Sequence, residues 1–373
     1  MPNERFAIEI NGQEVTDVYE QIGSLEIELS HDLPATFALS FGIHKDPTDG
    51  SWTLLDDDRF RVWNEVAIRV GFVGAGQEQV IAGYVTRVTP RFAEDEGQTV
   101  LEIAGIDGSV VMDREEKLKD WPNKKDSAIA AEILNDNGFT PSVADTTIVH
   151  DKALSTIIQR ETDWQFLRRL ALRNGFLCYV DGTTGFFQPV PGGGSAEPVL
   201  AAHFGDETNL RGFSATVDAL RPAHVTMYQV DRFAKQVMTA AVVASTRQPL
   251  GKLGAAALLP TGVDPARVYV ARNAATGVPE MQSLCQGLFD EGAWFVDARG
   301  EIDAAAYGHV LRPRTFVPIK GIGETYSGVY YVTHVRHSLT RETYEQHFQA
   351  RRDALLPKGD ESFAAAGALA GLL

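Results

Sequence analysis

The chain has 373 residues, with 34 Lys and Arg against 50 Asp and Glu, a net charge of −16 and a pI near 5.0. That length implies two or three domains of roughly 100–200 residues each, and the acidity excludes a global attraction to phosphate backbones or anionic lipid. Two cysteines, Cys178 and Cys285, make no disulfide framework and read as half-buried thiols of a reducing compartment.

The N-terminal "MPNERFAIEI" carries acid and no apolar run, so no signal peptide is expected. No window approaches the ~18 apolar residues that span a bilayer, so no membrane insertion by the chain itself is expected. The first hundred or so residues then show a period of two. Phe6, Ile8 and Ile10 alternate up to Asn11–Gly12, a strong hairpin signal. Leu25, Ile27 and Leu29 follow, then Phe37, Leu39 and Phe41, then Val66, Ile68, Val70 and Phe72. "VIAGYVTRVTP" and "TVLEIAGID" complete a set of strands with no helix between them, which points to an antiparallel barrel or sandwich.

From about residue 110 the period changes. "DSAIAAEILNDNGF" offers Ser127 as an N-cap, an apolar stripe of Ile129, Ile133 and Leu134, and a stop at Asn137–Gly138. In "ETDWQFLRRLALRNGFLCYVDG", Thr162 or Asp163 caps a second helix that stops at Gly175. Its Arg168, Arg169 and Arg173 lie mostly off the apolar face, on a solvated or interface side. Two strands, "FLCYV" and "FFQPV", follow around the turn "DGTTG". "PVPGGGSAEP" reads as a linker. Beyond it strands resume at "HVTMYQVD", with a short helix at "EMQSLCQGLFDEG" before the last strands.

Taken together, "STIIQRETDWQFLRRLALRNGFLCYVDG" and "YGHVLRPRTFVPIKGIGETYSGVYYVTHVRHSLTRETYEQHFQARR" resemble the contractile-tail baseplate hub family. That family holds phage late-control D proteins and the hub portion of type VI secretion spike proteins. The resemblance covers roughly residues 1–355 in order, and Arg314 stands where the family usually has glycine in a proline turn. It implies a mainly β fold with an α+β insertion: two tail-tube-like antiparallel β-barrels joined by a small α/β region. The division expected is 1–108 for the first barrel, 109–198 for the insertion of helices and hairpin, 199–355 for the second barrel with its short helix, and 356–373 for an apolar tail.

The function implied is a structural hub linking a six-fold inner tube to a three-fold spike, as a homotrimer. Its partners would be a separate spike protein, the inner tube protein and baseplate components, without specific nucleic-acid binding. Such a chain is made in the bacterial cytoplasm and assembled into a virion or an injection-system particle.

Residues that could carry chemistry read as structural. His334 and His337 fall on opposite faces of a strand, unsuited to a shared metal. Asp56, Asp57 and Asp58 are contiguous, whereas a calcium loop spaces its ligands. Glu115 and Glu116 point apart, and "GIGETY" from Gly321 lies between strands, with no helix to cradle phosphate. Trp164, Phe166, Leu167 and Leu170 read as core, with Glu161 and Asp163 at a helix N-terminus. No catalytic, cofactor-binding or metal residue, no cofactor and no enzymatic activity are therefore expected. The alternatives are a tail-associated cell-wall-degrading enzyme and a peripheral receptor- or glycan-binding β protein.

Overall fold

The computed structural model describes residues 4–72, 76–153, 157–193, 196–221, 223–231, 233–271, 275–359, 361 and 363. The fold is mainly β, 46% strand against 19% helix. Strand β1 (Glu4–Ile10) turns into β2 (Gln13–Glu14) at Asn11 and Gly12, whose φ values of 50° and 78° suit a two-residue hairpin. Then come β3 (Ile22–Ser30), β4 (Thr36–Gly42), β5 (Glu65–Phe72), β6 (Gly76–Arg91) and β7 (Val100–Asp107). Ile8, Leu25, Phe41, Ile68, Val85 and Ile103, one from each long strand, meet in a single cluster, so this part of the sheet curls round one core. Long β6 makes the bend, pairing with β5 through its first half and with β7 through its second.

A smaller unit holds β8 (Glu116–Trp121), α1 (Asp126–Asp136), β9 (Thr140–Val143), β10 (Ile157–Thr162), α2 (Asp163–Asn174), β11 (Phe176–Asp181) and β12 (Thr184–Pro189). The two helices bury Ile129, Leu134, Phe166 and Leu170 in its core. Thr162 caps α2 by accepting from the Gln165 amide at 3.3 Å, and Gly175 ends it at φ 65°. Ser127 does not cap α1. The helix begins one residue earlier, and the Ser127 hydroxyl instead donates to Asp145 (3.1 Å) and accepts from the Thr146 amide (3.2 Å).

The remainder comprises β13 (Leu200–Ala201), β14 (Leu210–Val217), β15 (Ala223–Val230), β16 (Val237–Val242), β17 (Leu253–Gly254), β18 (Ala266–Val270), α3 (Val278–Gly292), β19 (Val296–Asp303), α4 (Ala304–Tyr307), β20 (Phe316–Lys320), β21 (Gly328–Thr340), β22 (Tyr344–Arg352) and β23 (Ala354–Leu355). Strands β14, β19, β22 and β21 cover a second core containing Ile302, Tyr330 and Phe348. Between β14 and β19 a separate sheet, β16-β15-β18, packs Val225, Met227 and Val242 against Met281, Leu284 and Phe289 of α3.

Strand β21 pairs with β3 over His334–Thr340, which fuses both halves into one sheet ordered β14-β19-β22-β21-β3-β4-β7-β6-β5-β1-β2. Two closed barrels are not traced by these pairings; the described strands form two curled halves of an open path.

The turn before β20 ties the parts together. Arg312 donates to the Gln79 carbonyl and to Glu78 (3.3 Å) in β6. Arg314 donates to the Ser30 carbonyl at 2.5 Å and lies 3.8 Å over the Tyr179 ring of β11. Its φ of 66° belongs to the left-handed region that favours the glycine usual in the resembled family. Side-chain contacts thus hold a strained backbone. Arg314→Ala is expected to melt below Arg314→Gly, since both lose the contacts and glycine alone relieves about 1 kcal/mol of strain. Equal melting curves would show that the turn carries no strain.

Candidate functional surface

Side chains alternate along strands, so the face opposite the two cores is polar and continues across both halves of the sheet. Cross-strand ion pairs cover it. Glu26 of β3 meets Arg336 of β21 at 2.5 Å, and Arg91 of β6 meets Glu102 of β7 at 2.8 Å. Arg211 of β14 reaches Asp303 (3.1 Å) and Glu345 (3.0 Å), and Arg351 reaches Asp297 at 3.3 Å. Half-exposed pairs are worth at most ~1 kcal/mol each. Their consequence is local cancellation of charge more than stability. A trough of about 530 Å³ crosses this face, bordered by Glu28, Arg299, Glu301, His334, Arg336 and His347. Two glutamates and two arginines share its border. Among the described residues no group of three or more His, Cys, Asp or Glu is placed to hold a metal.

The stretch from Glu161 supplies core residues and local ion pairs. Trp164, Phe166, Leu167 and Leu170 are buried. Burial pushes the Asp163 carboxyl up, but hydrogen bonds from Lys117, Gln159 and Asn137 outweigh it and leave the group below its usual range. Glu161 accepts from Arg169 at 2.7 Å. Arg168 is exposed, whereas Arg173 is drawn out of solvent by Glu280 of α3.

The other candidates are equally local. Asp57 accepts from Arg59 (2.9 Å), which also reaches Asp17 (2.8 Å), so the acidic turn is an ion-pair cluster. Glu115 is exposed and Glu116 opens β8. Gly321 and Gly323, at φ 81° and 82°, shape the β20–β21 hairpin. Both cysteines are buried, more deeply than their surroundings in sequence suggest, and burial pushes the Cys178 thiol up to about 12. Such thiols are poor nucleophiles. Trp121, Trp164 and Trp294 are buried, whereas Trp63 is exposed.

His334 faces the trough, while His337 is fully buried with its Nδ1 2.8 Å from the Tyr344 hydroxyl. Burial holds the His337 pKa down to about 3. An unfolded histidine titrates near 6.5, so the unfolded state gains protons that the fold refuses. Stability from the neutral ring is therefore complete above about pH 6.5 and is lost as pH falls toward 3. Between pH 6 and 4 the wild type is expected to lose stability more steeply than His337→Gln. Parallel melting-against-pH curves would show that His337 titrates normally in the fold.

The profile of the family described as the Alg8 N-terminal domain matches residues 2–341. No curated protein matches the chain significantly. Among solved structures, the 43 kDa tail protein of prophage MuSo2 from Shewanella oneidensis aligns with a TM-score of 0.68 at 16% identity, covering 94% of this chain and 99% of that one. The tail protein from Neisseria meningitidis gives 0.64 at 12% identity, covering 95% and 98%. The Escherichia coli c3393 protein, described as a type VI secretion component resembling bacteriophage tail proteins, gives 0.56 at 12% identity, covering 95% and 79%. These likenesses establish the fold, which is that of tail proteins. The matching family bears a different name from the late-control D and hub proteins that the sequence resembles.

Proposed function

The chain belongs to the Alg8 N-terminal domain family, and from its tail-protein fold and the resemblance of its sequence to contractile-tail hubs we propose that it is a structural hub of a contractile injection machine or phage-like tail. The observation that carries this reading is the β21–β3 pairing. It gives one chain two curled sheets side by side with a single, charge-compensated polar face, as the wall of a passage requires. A wall whose cations are mostly paired, as Arg91, Arg211, Arg336 and Arg351 are, offers little basic surface to hold a polyanion or a folded cargo.

In this reading residues 1–108 and 199–355 supply the two tube-like halves and 109–198 the insertion between them. Within the apolar tail 356–373, the stretch Phe363–Leu373 serves as a docking element; residues 360, 362 and 364–373 lie outside the described residues. Three copies would present six similar halves to a six-fold tube and three equivalent surfaces to a spike. The chain works by geometry and needs no cofactor or catalytic group. It is made in the bacterial cytoplasm and works in the assembled particle, among tube, spike and baseplate proteins.

A strain lacking the gene is the test. Tubes are expected to be missing or detached from their spikes, and an affinity-tagged copy should restore them and co-sediment with the particles. Full-length, spiked particles from the deletion strain would overturn the reading. Sustained release of soluble fragments from peptidoglycan by the purified protein would replace it with the enzymatic one.

A further inference from the structure

Among the described residues 21 large hydrophobic side chains are exposed, and 12 of them fall between Leu220 and Leu288. They gather on the unit built from the β16-β15-β18 sheet and α3. Its inner face is sealed by the helix, but among the described residues no element covers its outer face. Tyr228 (57% exposed) and Tyr269 (58%) stack there at 6.1 Å, with Val230 and Val237 (68%) alongside. None of the three strands contains an Asp or Glu, in a chain that has 50. The face carries one permanent charge, Arg267, which makes no ion pair among the described residues. At one end lies a cavity of about 280 Å³ lined by Val243, Leu258, Pro260 and Phe289, and also by the paired Asp218 and Arg221.

We propose that this outer face docks a second, different polypeptide of the particle, one presenting an aliphatic or aromatic patch bordered by a carboxylate. The inference rests on the reading of the chain as a particle component. A contiguous apolar surface of this kind marks an interaction site. Its size argues against a stand-alone pair of copies. Three strands about 4.8 Å apart and five to eight residues long cover on the order of 300 Å², well short of the ~800 Å² per partner of a stable complex. Charge argues the same way. Stacking two copies of the face would cover Arg267 with a surface that has no acid, leaving the cation desolvated and unpaired. A partner bearing a carboxylate removes that cost, and neighbouring contacts in the particle supply effective concentration.

The test uses the tagged full-length chain in the deletion strain, with the double variant Tyr228→Ser/Tyr269→Ser and the reversal Arg267→Glu. These side chains are exposed, so both variants should match the wild type in melting temperature. Each is expected to be recovered in purified particles at about a tenth of wild-type occupancy or less, a shift of roughly 1.4 kcal/mol. A photo-crosslinker at Tyr269 should join a different polypeptide within the particle. Wild-type occupancy of both variants, or a cross-link to another copy of this chain, overturns the proposal. Absence of the wild-type chain from particles would remove the functional reading itself, and this inference with it.

Discussion

Arg352→Ala should lower stability by about 3–5 kcal/mol, a large effect for a residue in a pair of arginines near the end of the last long strand. Arg352 is fully buried. Its guanidinium donates to the carbonyls of Tyr326 (3.2 Å), Ser327 (3.0 Å), Leu250 (3.1 Å) and Leu356 (2.9 Å). One side chain thereby fastens the β20–β21 hairpin, the loop before β17 and the segment after β23. Alanine leaves the Ser327 and Leu250 carbonyls without this donor, while Tyr326 keeps the Tyr330 hydroxyl and Leu356 keeps the Lys252 amide, and an unsatisfied buried group costs ~1–3 kcal/mol. The lost packing of the buried stem adds to that sum, and water entering the space offsets part of it. Arg352→Lys should recover only part, because an ammonium cannot span the fork. Urea unfolding that shifts by less than about 1 kcal/mol for alanine would show that the carbonyls find other donors.

The second large effect is expected where α2 meets α3. Gly175 and Gly287 touch backbone to backbone: a Cβ on Gly287 would stand 2.9 Å from the Gly175 nitrogen and 3.0 Å from its Cα. No flexible side-chain tip is there to yield. Gly287→Ala must push the helices apart and loosen the Arg173–Glu280 pair beside them. Overpacking of this kind costs ~1–3 kcal/mol, against a helix-propensity gain of about 1 kcal/mol for alanine over glycine. Net destabilisation is expected, and greater still for Gly287→Val. A Gly287→Ala protein as stable as the wild type would mean that propensity decides and the contact does not.

These two sites mark the boundary of what was legible in the sequence. Local periodicity shows Ile8 and Ile10 facing inward, the Asn11–Gly12 turn, and α2 running from Thr162 to Gly175, because those features depend on near neighbours. It also places His334 and His337 on different faces. What it could not show is which surfaces meet. The pairing of Glu26 with Arg336 joins positions 310 residues apart, and the burial of Arg352 depends on carbonyls up to 102 residues away. The strands of the α3-backed unit alternate like those of the main sheet, so nothing local separates them from a second barrel. Ser127 is a good capping residue by type, yet Thr146 and Asp145 engage its hydroxyl once the chain folds.

The passage between tube and spike that we propose for this chain is open to a cryo-electron reconstruction of tagged particles. Three copies are expected at the tube–spike junction. Their β14-to-β6 sheets should ring the channel, with the face bearing Glu26, Arg336 and Arg351 turned toward the lumen. Six copies, a position at the periphery, or that polar face turned away from the channel would contradict it.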